Sequence, residues 1–103
     1  MGSNNEPREE SIQSAILRWL RNRKIWCDCY HGSPLTKAGI PDILIIKDGM
    51  ALWLEVKTPS GKLTKIQQHT HFIIRKQAGA PVFVVRSLDE AIVAYHAFAE
   101  GIK

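Results

Sequence analysis

The sequence predicts an α/β fold: a three-layer sandwich with helices on both sides of a small mixed β-sheet. Three observations carry this. Two nearly continuous apolar runs, Ile43-Leu44-Ile45-Ile46 and Leu52-Trp53-Leu54, flank an Asp48-Gly49 turn, as in a hairpin whose strands are covered on both faces. Helically spaced apolar residues precede and follow that hairpin. The helical segment after it is long enough to be a crossover, so the next strand is expected to run parallel to the hairpin's second strand, through a right-handed connection.

The elements follow in order. Pro7 suits the first position of a helix, Glu9 and Glu10 suit its dipole, and Ile12, Ala15, Ile16, Trp19 and Leu20 keep helical spacing, which predicts a helix over 7–23. Residues 25–31 are aromatic and β-favouring and read as a first strand. Residues 32–39, with two glycines and a proline, read as the longest loop. The hairpin strands are expected over 42–46 and 51–57, around a turn at Lys47-Asp48-Gly49. Thr64 with Gln67 forms a capping-box pattern for a second helix with an inner stripe of Ile66, Thr70, Ile73, Ile74 and Gln77, closed by Gly79 and Pro81. A buried strand is expected over 81–86. Ser87 with Glu90 then opens a third helix whose apolar side is Leu88, Ile92, Tyr95 and Ala99.

A chain of 103 residues fits one domain spanning 1–103, with residues 1–6 expected to be disordered or a cloning remnant. The apolar runs fall far short of the roughly 18 residues of a membrane span, and the first residues carry no apolar leader, so a cytoplasmic setting is expected and no membrane partner. The net charge of +4 suits a polyanionic partner. Arg18, Arg21, Arg23 and Lys24 cluster near the end of the first helix, where they fit phosphate contact and a solvated face equally well. Lys37 in the long loop, and Lys62 and Lys65 after the hairpin, are further candidate phosphate contacts, with an ordinary surface lysine as the bland reading. Cys27, Cys29 and His31 share one strand face but lie about 6.6 Å apart in turn, too wide a row for one zinc ion, so the cysteines are expected to be buried thiols.

The chemistry concentrates between Gly39 and Lys57. Folding the hairpin sets Asp42, at the mouth of its first strand, beside Glu55 and Lys57, which share a face at the end of its second. Two carboxylates and an amine then converge at one sheet end. Asp42 and Glu55 can supply hard oxygen ligands to Mg²⁺, with the Val56 backbone carbonyl as a further ligand. Lys57 can orient or deprotonate an attacking water or offset phosphate charge. Glu9 on the first helix can reach the same site, directly or through water. Each residue also has a bland reading: Asp42 as a turn residue, Glu55 and Lys57 as an edge-strand pair, Glu9 as a dipole partner.

Pro41-Asp42 followed by Glu55-Val56-Lys57 resembles the motif of the PD-(D/E)xK nucleases. The fuller set Gly39-Ile40-Pro41-Asp42, Glu55-Val56-Lys57-Thr58-Pro59, Gly61-Lys62-Leu63 and Gln67 is similar to the VRR-NUC branch, as are Glu9, Ile12 and Gln13 and the Ala78-Gly79 pair. The resemblance implies an αβββαβ core like that of restriction endonucleases, here with an added C-terminal helix. It implies DNA cleavage dependent on Mg²⁺ or Mn²⁺ (magnesium or manganese), with metal on Asp42 and Glu55 and Lys57 catalytic. Glu9 matches the first-helix glutamate of the family, with Glu10 its near rival. Gln67 matches a glutamine near the site, though the capping box explains it equally well. Small stand-alone members, often from phages, resemble Holliday-junction resolvases and are homodimers. A homodimeric junction nuclease of a bacterial or phage-infected cell is therefore expected. The alternatives are a nuclease for flaps or nicked duplex, and a non-catalytic DNA-binding subunit of a restriction or repair complex.

Overall fold

The computed structural model of the chain describes residues 6–30 and 38–101. The first helix, α1 (Glu9–Asn22), begins two residues later than expected. Arg8 is its extended N-cap, so Pro7 lies outside the helix, and Glu9 and Glu10 take the first two helical positions, where the dipole favours acids. Ile12, Ile16 and Leu20, each four residues apart, are its buried stripe, while Ala15 and Trp19 are only half-buried. Glu6, expected in a disordered lead, accepts hydrogen bonds from the Ser60 amide and hydroxyl at 3.2 and 3.0 Å.

Four strands form one mixed sheet in the order β1 (Cys27–Cys29), β2 (Ile43–Lys47), β3 (Met50–Val56) and β4 (Val82–Val85). The first two pairings are antiparallel and the β3–β4 pairing is parallel, as the crossover requires. The hairpin turn is tight: Lys47 pairs with Met50, and Asp48 and Gly49 both take positive φ, 52° and 81°. Two such residues give the twist that hairpin strands need.

β1 is shorter than the expected 25–31. Lys24 takes a left-handed φ of 58°, and only Cys27 to Cys29 pair with β2, so Ile25 and Trp26 lie outside the strand. His31 and Lys37 fall outside the described residues. Because β1 is an edge strand, its cysteines are half-buried rather than buried. Burial still pushes the Cys27 thiol up, and Cys29 Sγ accepts from Gln13 Nε2 at 3.1 Å.

Ile43, Ile45, Leu52, Leu54 and Val56 form the core face of the sheet, packed with α1 and with Ala91, Tyr95 and Phe98 of α3 (Leu88–Gly101). Among the described residues, the opposite face carries α2 (Lys65–Ile73) at the Glu55 end, where His71 meets Glu55. Further along, Leu44 and Trp53 are half-buried and Ile46 is exposed, so the apolar runs are not covered on both faces throughout. β4 is likewise an edge, with Phe83 exposed where a buried strand was expected.

The largest departure is in α2. Its one buried residue is His71, while Ile66 and Gln77 of the expected stripe are exposed. A π-helical turn over Ile74–Ala78 follows, which rotates the later residues out of the expected phase. Gly79, with φ 68°, closes the segment as expected. Among the described residues no helix is long and apolar enough to cross a membrane.

Candidate active site

The hairpin register builds the site. Ile43 pairs with Leu54, so extending the ladder by one residue sets Asp42 opposite Glu55. Their side chains share the face opposite to the core, and Lys57, two residues on, shares it too. All three are buried, Asp42 at 6%, Glu55 at 2% and Lys57 at 8% exposure, which is unusual for charged residues.

Asp42 is tied to the second arm of the hairpin. Its Oδ2 accepts the Val56 amide at 2.8 Å, and its carbonyl accepts the Tyr30 amide at 2.8 Å. Along β3 the amides of Trp53 and Lys57 bond to β4, so by alternation the amide and carbonyl of Val56 both issue toward Asp42. Glu55 is held from α2: His71 Nε2 lies 2.9 Å from Glu55 Oε1, and both side chains are fully buried. Burial, and then the neighbouring Asp42 carboxyl, raise the Glu55 carboxyl to about 7, while the His71 bond pulls it the other way.

Two further contacts fix the frame. Gly39 takes φ +85°, and a Cβ there would meet Thr70 Oγ1 at 2.5 Å and the Ile66 carbonyl at 2.8 Å, so only glycine lets the strand leading to Asp42 lie against α2. Beyond Lys57, Arg86 Nη1 donates to the carbonyls of Thr58 and Gly61 at 2.7 and 2.6 Å, holding the chain as it leaves β3.

The remaining candidates divide. Gln67 completes the expected capping box: its Oε1 accepts the Thr64 amide at 2.9 Å and its own amide donates to Thr64 Oγ1 at 3.1 Å, so its side-chain oxygen is engaged at the helix cap. Glu9 is half-buried, whereas Glu10 is exposed and lies 3.8 Å from Arg8, so of the two Glu9 is the inward residue. Among the described residues no three His, Cys, Asp or Glu side chains gather to hold one ion, so Glu9 does not close a set with Asp42 and Glu55 here. Lys62 and Lys65 are exposed on the connector and the first turn of α2, on the side of the site. Arg18 and Arg21 are exposed near the other end of α1, with Arg21 about 18 Å from Glu9 along the helix axis at 1.5 Å per residue. Arg21 lies beside Cys27, and the Arg23 guanidinium stacks 4.2 Å over Trp19. His71 was missed because its surroundings in sequence read as an apolar stripe. The available signal was its place four residues after Gln67, on the same helix face.

The donor set fits a hard divalent cation. Burial beside the Asp42 carboxyl raises the Glu55 carboxyl to about 7, and a divalent cation between two such opposed acids would offset that cost. Mg²⁺ needs only one or two carboxylates and keeps its waters, which matches a two-acid site with a carbonyl nearby.

No protein-family model and no curated protein matches the chain. Solved structures do. A VRR_NUC domain protein superposes with a TM-score of 0.74 at 18% identity, covering 88% of this chain and 87% of its own. A VRR_NUC domain superposes at 0.68 with 26% identity, covering 85% and 94%. The chain shares the fold of VRR-NUC domains. That likeness suggests a nuclease domain of the PD-(D/E)xK type, in keeping with Pro41-Asp42 and Glu55-Val56-Lys57 in the sequence.

Proposed function

We propose that the chain, as one domain, is a divalent-metal-dependent DNA endonuclease that cuts branched DNA, four-way junctions foremost, as a homodimer. The observation that carries the reading is the burial of Asp42, Glu55 and Lys57 on one face at one sheet end, with Val56 tied to Asp42. Asp42 and Glu55 would hold Mg²⁺ or Mn²⁺, with the Val56 carbonyl and, through water, Glu9 as further ligands. When bound, the metal supplies an activated water and offsets charge on the phosphate. Lys57 orients that water or takes its proton. Lys62 and Lys65 meet the backbone beside the scissile phosphate, and Gln67 keeps the start of α2 in place beside them. Arg18 and Arg21, at the far end of α1, would reach DNA only away from that phosphate. Binding through phosphates is salt-sensitive.

A junction presents two symmetric strands and one small site cuts one, so a two-fold dimer suits it. An open apolar groove of about 450 Å³ between β4 and α3, with Phe83 and Val93 exposed beside it, supports a second copy as its occupant. A cytoplasmic setting suits such an enzyme. The test is a panel of labelled four-way junctions, flaps, nicked and linear duplexes with Mg²⁺ or EDTA. Paired symmetric nicks at junctions support the proposal. Cleavage of flaps or nicks alone would redirect the substrate, and binding without cleavage would leave a DNA-binding subunit.

A further inference from the structure

His71 is the one buried residue of α2, and its imidazole is used for a single purpose. Nε2 lies 2.9 Å from Glu55 Oε1, while Nδ1 is buried without a hydrogen-bond partner among the described residues. A buried N–H left without an acceptor is costly. The ring proton is therefore assigned to Nε2, where it donates to Glu55, leaving Nδ1 as a bare lone pair. The motif on β3 does not include His71, and nothing on α2 holds the ring except packing. Its backbone is fixed by the same helix that Gly39 touches, through Thr70 and Ile66. The imidazole thus reaches from the helix to one oxygen of the metal-side glutamate.

We infer that His71 is the positioning residue of the metal site: its Nε2–H fixes Glu55 Oε1 and so sets the direction in which the other carboxylate oxygen meets a divalent cation. This rests on the metal-site reading above. Ligating carboxylates are commonly oriented by a hydrogen bond of this kind, and losing it weakens metal affinity about tenfold to a hundredfold. His71→Gln places an amide N–H close to the position of Nε2 and keeps the donor. His71→Leu and His71→Met fill the space without one.

The test titrates Mn²⁺ into the wild type and the three variants, following free Mn²⁺ by electron paramagnetic resonance, with circular dichroism to verify folding and metal-free junction binding as a control. The expected result is a tenfold or greater loss of Mn²⁺ affinity in whichever apolar variant folds, substantial recovery in His71→Gln, and unchanged metal-free DNA binding. Wild-type affinity in a folded His71→Leu or His71→Met would overturn the inference while leaving the metal site standing, as would equal loss in His71→Gln. Should neither apolar variant fold, a His71→Gln protein that folds but binds Mn²⁺ ten times more weakly overturns it, and one with wild-type affinity supports it. A wild type that binds no Mn²⁺ would overturn the metal-site reading and this inference together, and Mn²⁺ binding that survives Glu55→Gln would do the same.

Discussion

The Val56 amide donates to Asp42 Oδ2 at 2.8 Å, joining the start of one hairpin strand to the end of the other through the acid of the motif. Asp42 is thus part of the frame as well as of the proposed site. Asp42→Ala leaves the buried Val56 amide without its acceptor and is expected to lower stability by about 1–3 kcal/mol, whereas Asp42→Asn keeps an acceptor and loses less. Both variants are expected to lose cleavage. Urea denaturation measures the first effect and a nicking assay the second.

Gly39→Ala is expected to destabilise the protein by about 1–3 kcal/mol, from a side chain forced into left-handed backbone against Thr70 and the Ile66 carbonyl. Because the segment leads directly to Asp42, cleavage is expected to fall in the protein that remains folded. Thermal unfolding and a single-turnover assay on the same preparation check both.

The raised Glu55 carboxyl makes stability depend on pH in a definite direction. Between its ordinary value of 4.5 and about 7, the folded protein keeps a proton that the unfolded chain has released. That contribution to stability is full below 4.5 and is lost as pH rises to about 7. Glu55→Gln keeps the proton-bearing shape at every pH. In EDTA it is expected to match the wild type near pH 4.5 and to exceed it by up to about 3 kcal/mol at pH 8. Denaturation at the two pH values reads the difference, and added Mg²⁺ is expected to narrow it by stabilising only the wild type.

Arg86 holds the turn after Lys57 through the Thr58 and Gly61 carbonyls. Arg86→Leu is expected to lower stability by about 1.5–3 kcal/mol and to reduce the rate of cleavage more than the affinity for DNA. Comparing single-turnover rate with junction binding separates the two.

Much of this was legible because local chemistry dictates local geometry. Asp48-Gly49 supplies two positive-φ residues, Thr64 and Gln67 cap a helix, Gly79 ends one, and a crossover makes β4 parallel. The convergence of Asp42, Glu55 and Lys57 follows from the period of a strand and the register of a hairpin. What stayed hidden depends on tertiary placement. The same apolar run, Ile43 to Ile46, serves a strand covered at one end of its outer face and open at the other, so Ile46 gives no sign of its exposure. The inner face of α2 is polar because it faces the acids, and an apolar stripe drawn through Ile66 and Gln77 passes over His71. The three residues of β1 are set by their pairing to Ile43–Ile45 and not by their own propensity.

We propose that Asp42, Glu55 and Lys57 cut DNA with a divalent metal. This is tested most directly by comparing wild type and Lys57→Ala on a labelled four-way junction, with Mg²⁺ for cleavage and with EDTA for binding. The expected result is Mg²⁺-dependent nicking by the wild type, no nicking by Lys57→Ala, and junction binding of similar strength for both. Undiminished nicking by Lys57→Ala, or nicking by the wild type in EDTA, would contradict it.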